Sequence, residues 1–298
     1  MLTFDLSQTF GRVQMTGKTR LAFLHRMSTN DVEHLQMGQG KRTVLTTPIG
    51  RMVDCTPVLA MDDALILLTG AGNAGKVTAW LRKYILYNDD VRVDEVTTLT
   101  QMVGVFGEGA DVWARALDAA AFSQIENAPV FSSSQTNNAL LVKALPLQSA
   151  GYYFLGANLH SISNPQSPIS LHDSLRIAAS YPVFPNEINE DHIPLEAGLW
   201  DAVSFSKGCY IGQEIIARME SRNQMAKKLV QLDVTGAGCQ VGADLFLEGN
   251  VVGTVTSASE THALAYVRSA YAEVGRMLYI QVDHAVRIVR VVVQQFLK

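Results

Sequence analysis

The sequence predicts an α+β fold that is followed by a small all-β module at the C-terminal end of the 298-residue chain. In the first part, strand-like and helix-like segments follow one another in a β-β-α-β order, which favours antiparallel strands with helices on one side of a sheet. From about Lys227 onward, short alternating strands separated by turn residues replace the helices. Such a run is typical of a small barrel.

The N-terminal part begins with a helix predicted over residues 17–35, where apolar residues recur at the spacing of one buried face. The turn Pro48-Ile49-Gly50 separates two strands rich in apolar and β-branched residues. A second helix is predicted over residues 74–86. The strands predicted in this part are 43–47, 52–60, 64–68 and 91–93.

The rest of the chain continues the mixture and then changes to strands alone. The middle part is predicted to contain strands 103–106, 140–142 and 152–155, helices 110–121 and 171–180, and a polar loop 161–168. The final part is predicted to contain strands 229–234, 245–247, 251–255, 279–282 and 286–293. The turn Glu248-Gly249-Asn250 indicates a hairpin. We expect a body over residues 1–224 and a β module over 225–298.

Composition restricts the classes of protein to which the chain can belong. Hydrophobic residues make up 48% and charged residues 17%, which supports a sizeable core and argues against disorder. A formal net charge of −4 gives no bulk attraction to nucleic acid or to an anionic membrane. One group of cations leaves a local basic groove and a solvated face equally open. Its members are Arg176, Lys207, Arg218, Arg222, Lys227 and Lys228.

Cysteine usage and the N-terminal residues bear on the compartment. Cys55, Cys209 and Cys239 are odd in number and far apart, so neither a disulfide framework nor paired zinc ligands are predicted. This suits a reducing compartment. The N-terminal residues lack the charged start and long apolar run of a signal peptide, and no apolar run reaches the ~18–20 residues that span a bilayer. We therefore expect a cytoplasmic protein without membrane or direct nucleic-acid partners, and we expect a monomer.

The most informative stretch is the octapeptide Lys207-Gly208-Cys209-Tyr210-Ile211-Gly212-Gln213-Glu214. It combines a cation, a thiol, an aromatic ring, two glycines, an amide and a carboxylate, a density of chemistry that packing does not require. Between a strand-like segment at 203–205 and a helix-like segment at 215–219, it is predicted to form a strand-to-helix turn. There, free N–H groups and glycine let a ligand approach the main chain, and a nearby cation activates a thiolate. The alternative is that its apolar residues belong to the core and that Cys209 is a buried small hydrophobe.

A glycine-rich segment elsewhere in the chain has a structural interpretation. The residues from Gly70 to Gly75 match the G-x-G-x-x-G fingerprint of dinucleotide sites and nearly match a phosphate-binding loop. The strand before them is the second arm of a tight hairpin, whereas a nucleotide-binding unit needs parallel strands joined by a crossover helix. We therefore interpret these glycines as a turn between a strand and a helix.

Asp54 is a further candidate because it lies within an otherwise apolar strand. Its carboxylate faces either water or a cavity, and the residue pattern leaves both alternatives open. In a cavity it could bind a protonated nitrogen or an amino-pyrimidine edge through two aligned hydrogen bonds. The seven histidines show no metal-ligand spacing, so no metal site is predicted.

The octapeptide and the segment 193–199, Ile-Pro-Leu-Glu-Ala-Gly-Leu, resemble the YgfZ-type folate-binding proteins of the glycine-cleavage T-protein superfamily. Segments 23–32, 50–54 and 175–177 resemble that superfamily's N-terminal helix and turn, its carboxylate-bearing strand and the start of its Leu-Arg-hydrophobic-Glu segment. The resemblance implies two interleaved ferredoxin-like lobes and a small barrel, forming a three-lobed ring around a central channel. It also implies tetrahydrofolate as the ligand and an accessory role for iron–sulfur proteins, including an enzyme that modifies transfer RNA.

The resemblance also implies roles for particular residues. The candidate catalytic residues are Cys209, Lys207 and Asp54. The candidate folate-binding residues are Asp54, Arg176, Gly208, Tyr210, Gly212, Gln213 and Glu214. Asp54 is expected at the pterin, and Lys207 and Cys209 at the channel mouth. The two glycines of the octapeptide are expected to permit its turn, and its last two residues to fix the turn by hydrogen bonds. Arg176 is expected to pair with a carboxylate, either internal or from the folate tail.

Two departures from the glycine-cleavage enzymes bear on activity. Those enzymes carry two adjacent aspartates where this chain has Asp54-Cys55, and a pterin-anchoring glutamate where it has Ala178. The missing glutamate removes a charged hydrogen bond of about 1.5–3 kcal/mol, which argues against aminomethyl transfer. Two alternatives to the accessory role stay open: a tetrahydrofolate-dependent aminomethyl or one-carbon transferase, and a scaffold with an empty channel.

Overall fold

The computed structural model describes residues 1–147, 150–159, 165–222, 225–282 and 285–293. It confirms the predicted α+β fold, with two five-stranded ferredoxin-like sheets and a closed six-stranded C-terminal barrel. The strands are β1 (Leu2–Asp5), β2 (Phe10–Thr16), β3 (Gly40–Thr46), β4 (Met52–Ala60), β5 (Ala64–Gly70), β6 (Arg92–Glu95), β7 (Gln101–Phe106), β8 (Ser133–Gln135), β9 (Leu140–Lys143), β10 (Gly151–Gly156), β11 (Lys227–Asp233), β12 (Asp244–Leu247), β13 (Asn250–Ala258), β14 (His262–Arg268), β15 (Met277–Val282) and β16 (Ala285–Val293). The α-helices are α1 (Arg20–Met27), α2 (Ala74–Lys83), α3 (Ala110–Leu117), α4 (Ala119–Ile125), α5 (Ile169–Ala178) and α6 (Gln213–Arg222).

The chain folds into two compact units, each built from separated stretches of sequence. The first unit contains Met1–Thr46, Val53–Ile169 and Ala202–Ile211. The second unit contains Thr47–Met52, Ser170–Asp201 and Gly212–Lys298. Residues 202–211, which include the first five residues of the octapeptide, therefore fold with the N-terminal half of the chain.

The first sheet has the strand order β3-β4-β5-β2-β6. Apolar residues of α1 and α2, among them Phe23, Leu24, Val77 and Leu81, pack with strand residues into one buried core. β5 pairs antiparallel with both β2 and β4. Because a nucleotide-binding unit needs parallel strands, this pairing confirms that the glycine-rich segment after β5 is a structural turn.

The second sheet and the barrel complete the fold. The sheet order is β1-β7-β10-β9-β8, and residues of α3 and α4 pack with it around Phe122 and Phe154. The barrel closes in the order β11-β14-β13-β12-β15-β16. The predicted hairpin between β12 and β13 is confirmed, with positive φ values of 51° at Glu248 and 78° at Gly249. Positive φ at both turn positions suits the right-handed twist of the two strands.

Several predicted helix limits differ from the structure. The helix predicted over 17–35 ends at Met27, because Ser28 is extended and forms a bridge with Leu45. The helix predicted over 110–121 is divided at Asp118, whose extended backbone ends α3 and whose carboxylate accepts the Ala121 N–H at 2.9 Å as the N-cap of α4. Apolar spacing predicts a buried face, but an extended backbone at Ser28 and at Asp118 decides where α1 and α3 stop.

Strand predictions failed at five places. The strand predicted at 203–205 is a loop, while β1, β2, β8 and β14 had not been predicted. β14 contains two alanines and a histidine, and β8 has only three residues, so intrinsic strand preference was weak in both. Of the loop predicted over 161–168, residues 161–164 lie outside the described residues.

Candidate functional site

The first half of the octapeptide lies in a loop that runs beside the end of α1. The Ser204 N–H donates to the Thr29 carbonyl at 2.9 Å, and the Thr29 hydroxyl donates to the Ala202 carbonyl at 2.6 Å. Farther along, the Ile211 N–H donates to the Arg26 carbonyl at 3.3 Å. These hydrogen bonds tie residues 202–211 to a segment that lies about 180 positions earlier in the chain. The predicted strand at 203–205 is therefore a loop held by these bonds, without the regular pairing of a β-sheet.

Lys207 caps the C-terminal end of α1. Its ammonium donates to the carbonyls of His25, Ser28 at 2.7 Å and Asn30 at 2.8 Å. The last carbonyls of a helix have no partner within the helix, and a cation there also suits the helix dipole. Burial lowers the pKa of Lys207 to about 8, against the opposing charge of Asp31. The three donors of this predicted catalytic residue are therefore used within the protein.

Cys209 faces solvent, in contrast to the residue that follows it. Cys209 and Gly208 are exposed, whereas Tyr210 is buried and its ring lies 5.2 Å below the Lys207 ammonium. Burial raises the pKa of the Tyr210 phenol to about 12. The alternative that Cys209 is a buried small hydrophobe is therefore wrong, while Tyr210 does belong to the interior. Lys207 and Tyr210 hold the loop, and the loop presents the thiol.

The two glycines of the octapeptide differ in their conformational needs. Gly212 has a φ of 85°, in the left-handed region where a side chain is strained, and it directly precedes α6. Gly208 does not have a left-handed φ, and a methyl group in its place would meet no atom within 4 Å. The predicted turn thus depends on Gly212. Gly208 leaves open space beside the Cys209 main chain.

The carboxylate of Glu214 does not fix the turn as predicted. It pairs with Arg218 one helical turn later at 2.8 Å, and its side chain is 82% exposed. The helix that contains both residues, α6, starts at Gln213, so the predicted helix after the octapeptide is confirmed. Glu214 also lies in the first turn of α6, where a negative charge stabilises the helix dipole.

Asp54 is buried, and its carboxylate is fully engaged by main-chain and side-chain donors. It accepts the N–H of Cys55 at 2.8 Å, the N–H of Gly70 at 2.9 Å and the side-chain amide of Asn73 at 2.9 Å. Burial raises the pKa of Asp54 to about 6, and these hydrogen bonds oppose the rise. The carboxylate therefore does not face bulk water. It holds the glycine-rich turn between β5 and α2.

Asp54 and Cys209 differ in their exposure to solvent. Both belong to the first unit, but Asp54 is 1% exposed and enclosed by its turn, whereas Cys209 faces solvent. The hydrogen bonds of the described residues do not link the two side chains. The expected convergence of these two catalytic candidates therefore has no support from their local contacts.

Arg176 lies in the second unit and pairs internally. Its guanidinium contacts the Glu187 carboxylate at 3.2 Å, donates to the Ser257 hydroxyl at 2.8 Å and bonds Asp173 on its own helix. Ser257 in turn donates to Glu187 at 2.6 Å. Of the two predicted partners, the internal carboxylate is the one observed. Arg176 and Glu187 are both almost completely buried, so this network joins α5 to β13 of the barrel.

One charged cluster escaped sequence reasoning. The His25 imidazole lies 3.3 Å from the Asp31 carboxylate through Nδ1 and 3.8 Å from Glu33 through Nε2. Burial and the neighbouring Lys207 lower the pKa of His25. The residues are close because α1 ends early, and the predicted continuous helix over 17–35 would have separated them. The signal that could have identified this cluster is the end of α1 just before Ser28, which was not predicted.

Two negative findings concern the described residues alone. Within them, His, Cys, Asp and Glu side chains form no group of three or more that could hold a metal ion. None of the helices in this part of the chain is long and apolar enough to cross a membrane.

Comparisons with known proteins agree with the fold. Residues 2–145 match the model of the GCVT N-terminal domain. The chain is 26% identical over 306 residues to an Arabidopsis thaliana protein named as a candidate chloroplastic transferase, covering 95% of this chain and 69% of that protein. It is 26% identical over 323 residues to an aminomethyltransferase of Halalkalibacterium halodurans, covering 99% of this chain and 86% of that enzyme.

A solved structure extends the agreement along the chain. The glycine cleavage system aminomethyltransferase T from Bartonella henselae superposes with a TM-score of 0.84 at 20% identity, covering 99% of this chain and 87% of that one. At this identity the likeness establishes the fold alone. The domain match and the aminomethyltransferase relatives are similarities in sequence to the glycine-cleavage T-protein superfamily.

Proposed function

We propose that this chain binds tetrahydrofolate and acts as a folate-dependent one-carbon transferase of the aminomethyltransferase type. The observation that carries the proposal is the similarity to aminomethyltransferases, which extends over 99% of this chain and 86% of the Halalkalibacterium halodurans enzyme. The resemblance of the octapeptide to folate-binding proteins points to the same ligand. Compared with the accessory role, the transferase role draws more support from the relatives.

In this proposal Asp54 is a positioning residue. Its carboxylate already accepts three hydrogen bonds, from Cys55, Gly70 and Asn73, so a direct bond to the pterin would compete with at least one of them. Asp54 would act by fixing the turn that starts α2. The carboxylate that would contact the pterin directly is therefore to be sought elsewhere.

A second function, support of iron–sulfur enzymes, is favoured by one specific observation. Cys209 is exposed on a loop that Lys207 and Tyr210 hold in place. The proposed transferase reaction assigns no step to this thiol. In addition, Ala178, which stands where the pterin-anchoring glutamate is expected, is exposed at the end of α5. Both features suit a folate-binding protein that supports iron–sulfur enzymes through the Cys209 thiol.

The ligand is tested first, because both functions need it. Titration of the full chain with tetrahydrofolate, followed by intrinsic fluorescence or calorimetry, is expected to saturate at tens of micromolar or below on the scale of ordinary cofactor affinities. Absence of saturable binding would remove both functions together.

Turnover then separates the two functions. Formation of methylene-tetrahydrofolate from an aminomethylated amine donor is expected for the transferase, and Cys209→Ala is expected to leave it unchanged. Saturable folate binding without turnover, combined with loss of iron–sulfur enzyme activity in cells that carry Cys209→Ala, would replace the first function by the second. Cys239→Ala is the matched control, since Cys239 is a half-buried thiol in the second unit.

A further inference from the structure

A small cleft in the first unit lies apart from the octapeptide loop. It is formed by the loop 31–39, by the first residues of β3 and by the turn 129–132, which leads into β8. Its volume is about 300 Å³, at the lower end of the range in which proteins enclose small ligands. The cleft is therefore large enough for a small metabolite.

The lining of the cleft includes a hydroxyl that can donate to a ligand. Ser132 is 6% exposed and lines the cleft, and its hydroxyl forms no hydrogen bond with any described residue. Its oxygen is not among the buried polar atoms that lack a partner, so solvent in the cleft reaches it. A ligand with an acceptor group, such as a carboxylate, would replace that solvent and accept the hydrogen bond.

The walls carry opposite charges. Lys41 is half-buried, lines the cleft and forms neither a hydrogen bond nor an ion pair within the described parts of the chain. Asp31 also lines the cleft, and its contacts with His25 and with the Glu33 N–H both use Oδ1. Lys41 and Asp31 act on the nearby Lys207 ammonium in opposite directions, so the two charges share one neighbourhood. A ligand that neutralises both must itself carry one charge of each sign.

We propose that this cleft binds a small amino-acid zwitterion. The ligand carboxylate contacts the Lys41 ammonium and the Ser132 hydroxyl, and the ligand ammonium contacts Asp31. Leu35 and Pro129, which also line the cleft, supply an apolar wall for a short aliphatic side chain. Charge-assisted hydrogen bonds at both ends give orientation as well as affinity. The site goes beyond folate binding and does not depend on it.

The first test is direct binding to the full chain by calorimetry or ligand-observed NMR. Alanine and leucine are expected to bind saturably, whereas propionate and propylamine, each carrying a single charge, are expected to bind at least tenfold more weakly. No binding of either amino acid would overturn the proposal, and so would equal binding of all four probes. Folate titration of the same sample reports on the proposed function separately.

The second test uses variants of the lining residues. Lys41→Met is expected to weaken alanine binding at least tenfold. Ser132→Ala is expected to weaken it severalfold while leaving the melting temperature unchanged, because no protein hydrogen bond is lost. Lys18→Met, at an exposed lysine of the same unit, is the matched control and is expected to bind as the wild type does. Wild-type affinity in both Lys41→Met and Ser132→Ala would overturn the assignment of the cleft.

Discussion

Replacing Asp54 by asparagine tests whether burial or hydrogen bonding dominates at this carboxylate. Burial raises its pKa from the ordinary 3.8 to about 6. Between pH 3.8 and about pH 6, the folded state therefore keeps a proton on Asp54 that the unfolded state has lost. The stability that Asp54 contributes is complete below pH 3.8 and is lost as the pH rises through about 6. The difference between the two pKa values corresponds to about 3 kcal/mol.

The assay compares urea unfolding of wild type and Asp54→Asn between pH 4 and pH 7. Asparagine does not titrate, so the free energy of unfolding of the wild type relative to the variant is expected to fall by about 2.4 kcal/mol over this range, because the unfolded carboxyl is already more than half ionised at pH 4. Groups other than Asp54 titrate equally in both proteins and cancel. Asp63→Asn, at an exposed turn residue, is the control for the effect of an aspartate-to-asparagine change as such.

Parallel curves for wild type and Asp54→Asn would refute the reasoning. They would mean that the three donors, the N–H groups of Cys55 and Gly70 and the amide of Asn73, offset burial and leave the pKa of Asp54 the same in the folded and unfolded states. If the free energy of unfolding of the wild type relative to the variant rises with pH instead, hydrogen bonding outweighs burial and holds the pKa of Asp54 below its ordinary value.

Three further predictions concern the octapeptide. Lys207→Met should lower the free energy of unfolding by about 2–4 kcal/mol, since three carbonyls lose a charged donor; a loss below about 0.5 kcal/mol in urea unfolding would contradict the cap. Cys209 should react with iodoacetamide in the native protein well before Cys239, whose pKa burial raises to about 11, and peptide mass spectrometry that finds equal rates would count against its exposure. Gly212→Ala should cost about 1–2 kcal/mol through its left-handed backbone, while Gly208→Ala should be neutral by thermal melting, and equal losses would contradict the difference between them.

Much of the fold was predictable because its signals are local. The hairpin at Glu248-Gly249 needs positive φ, and the sequence places turn residues there. The apolar face of α6 and the change to strands near Lys227 likewise depend on neighbouring residues. The glycines after β5 could be interpreted correctly because a tight hairpin before them excludes a parallel crossover.

The candidate site was less predictable because its contacts join residues that are distant in sequence. The three donors of Asp54 include Gly70 and Asn73, 16 and 19 positions away. The carbonyls that Lys207 contacts lie 177 to 182 positions earlier in the chain. A motif shows which chemical groups are present, but tertiary contacts decide which of them remain available to a ligand. Cys209 was identified by its chemistry, and only the fold showed that it is exposed.

The tie between Lys207 and the end of α1 has a consequence during synthesis. The ribosome must add more than 170 residues after α1 before the ammonium that covers its final carbonyls exists. Until then the N-terminal layer is an incomplete intermediate, and contacts this distant along the chain form slowly. Pulse-labelled nascent chains stopped before residue 202 should therefore be digested by protease faster at α1 than chains that extend past residue 211.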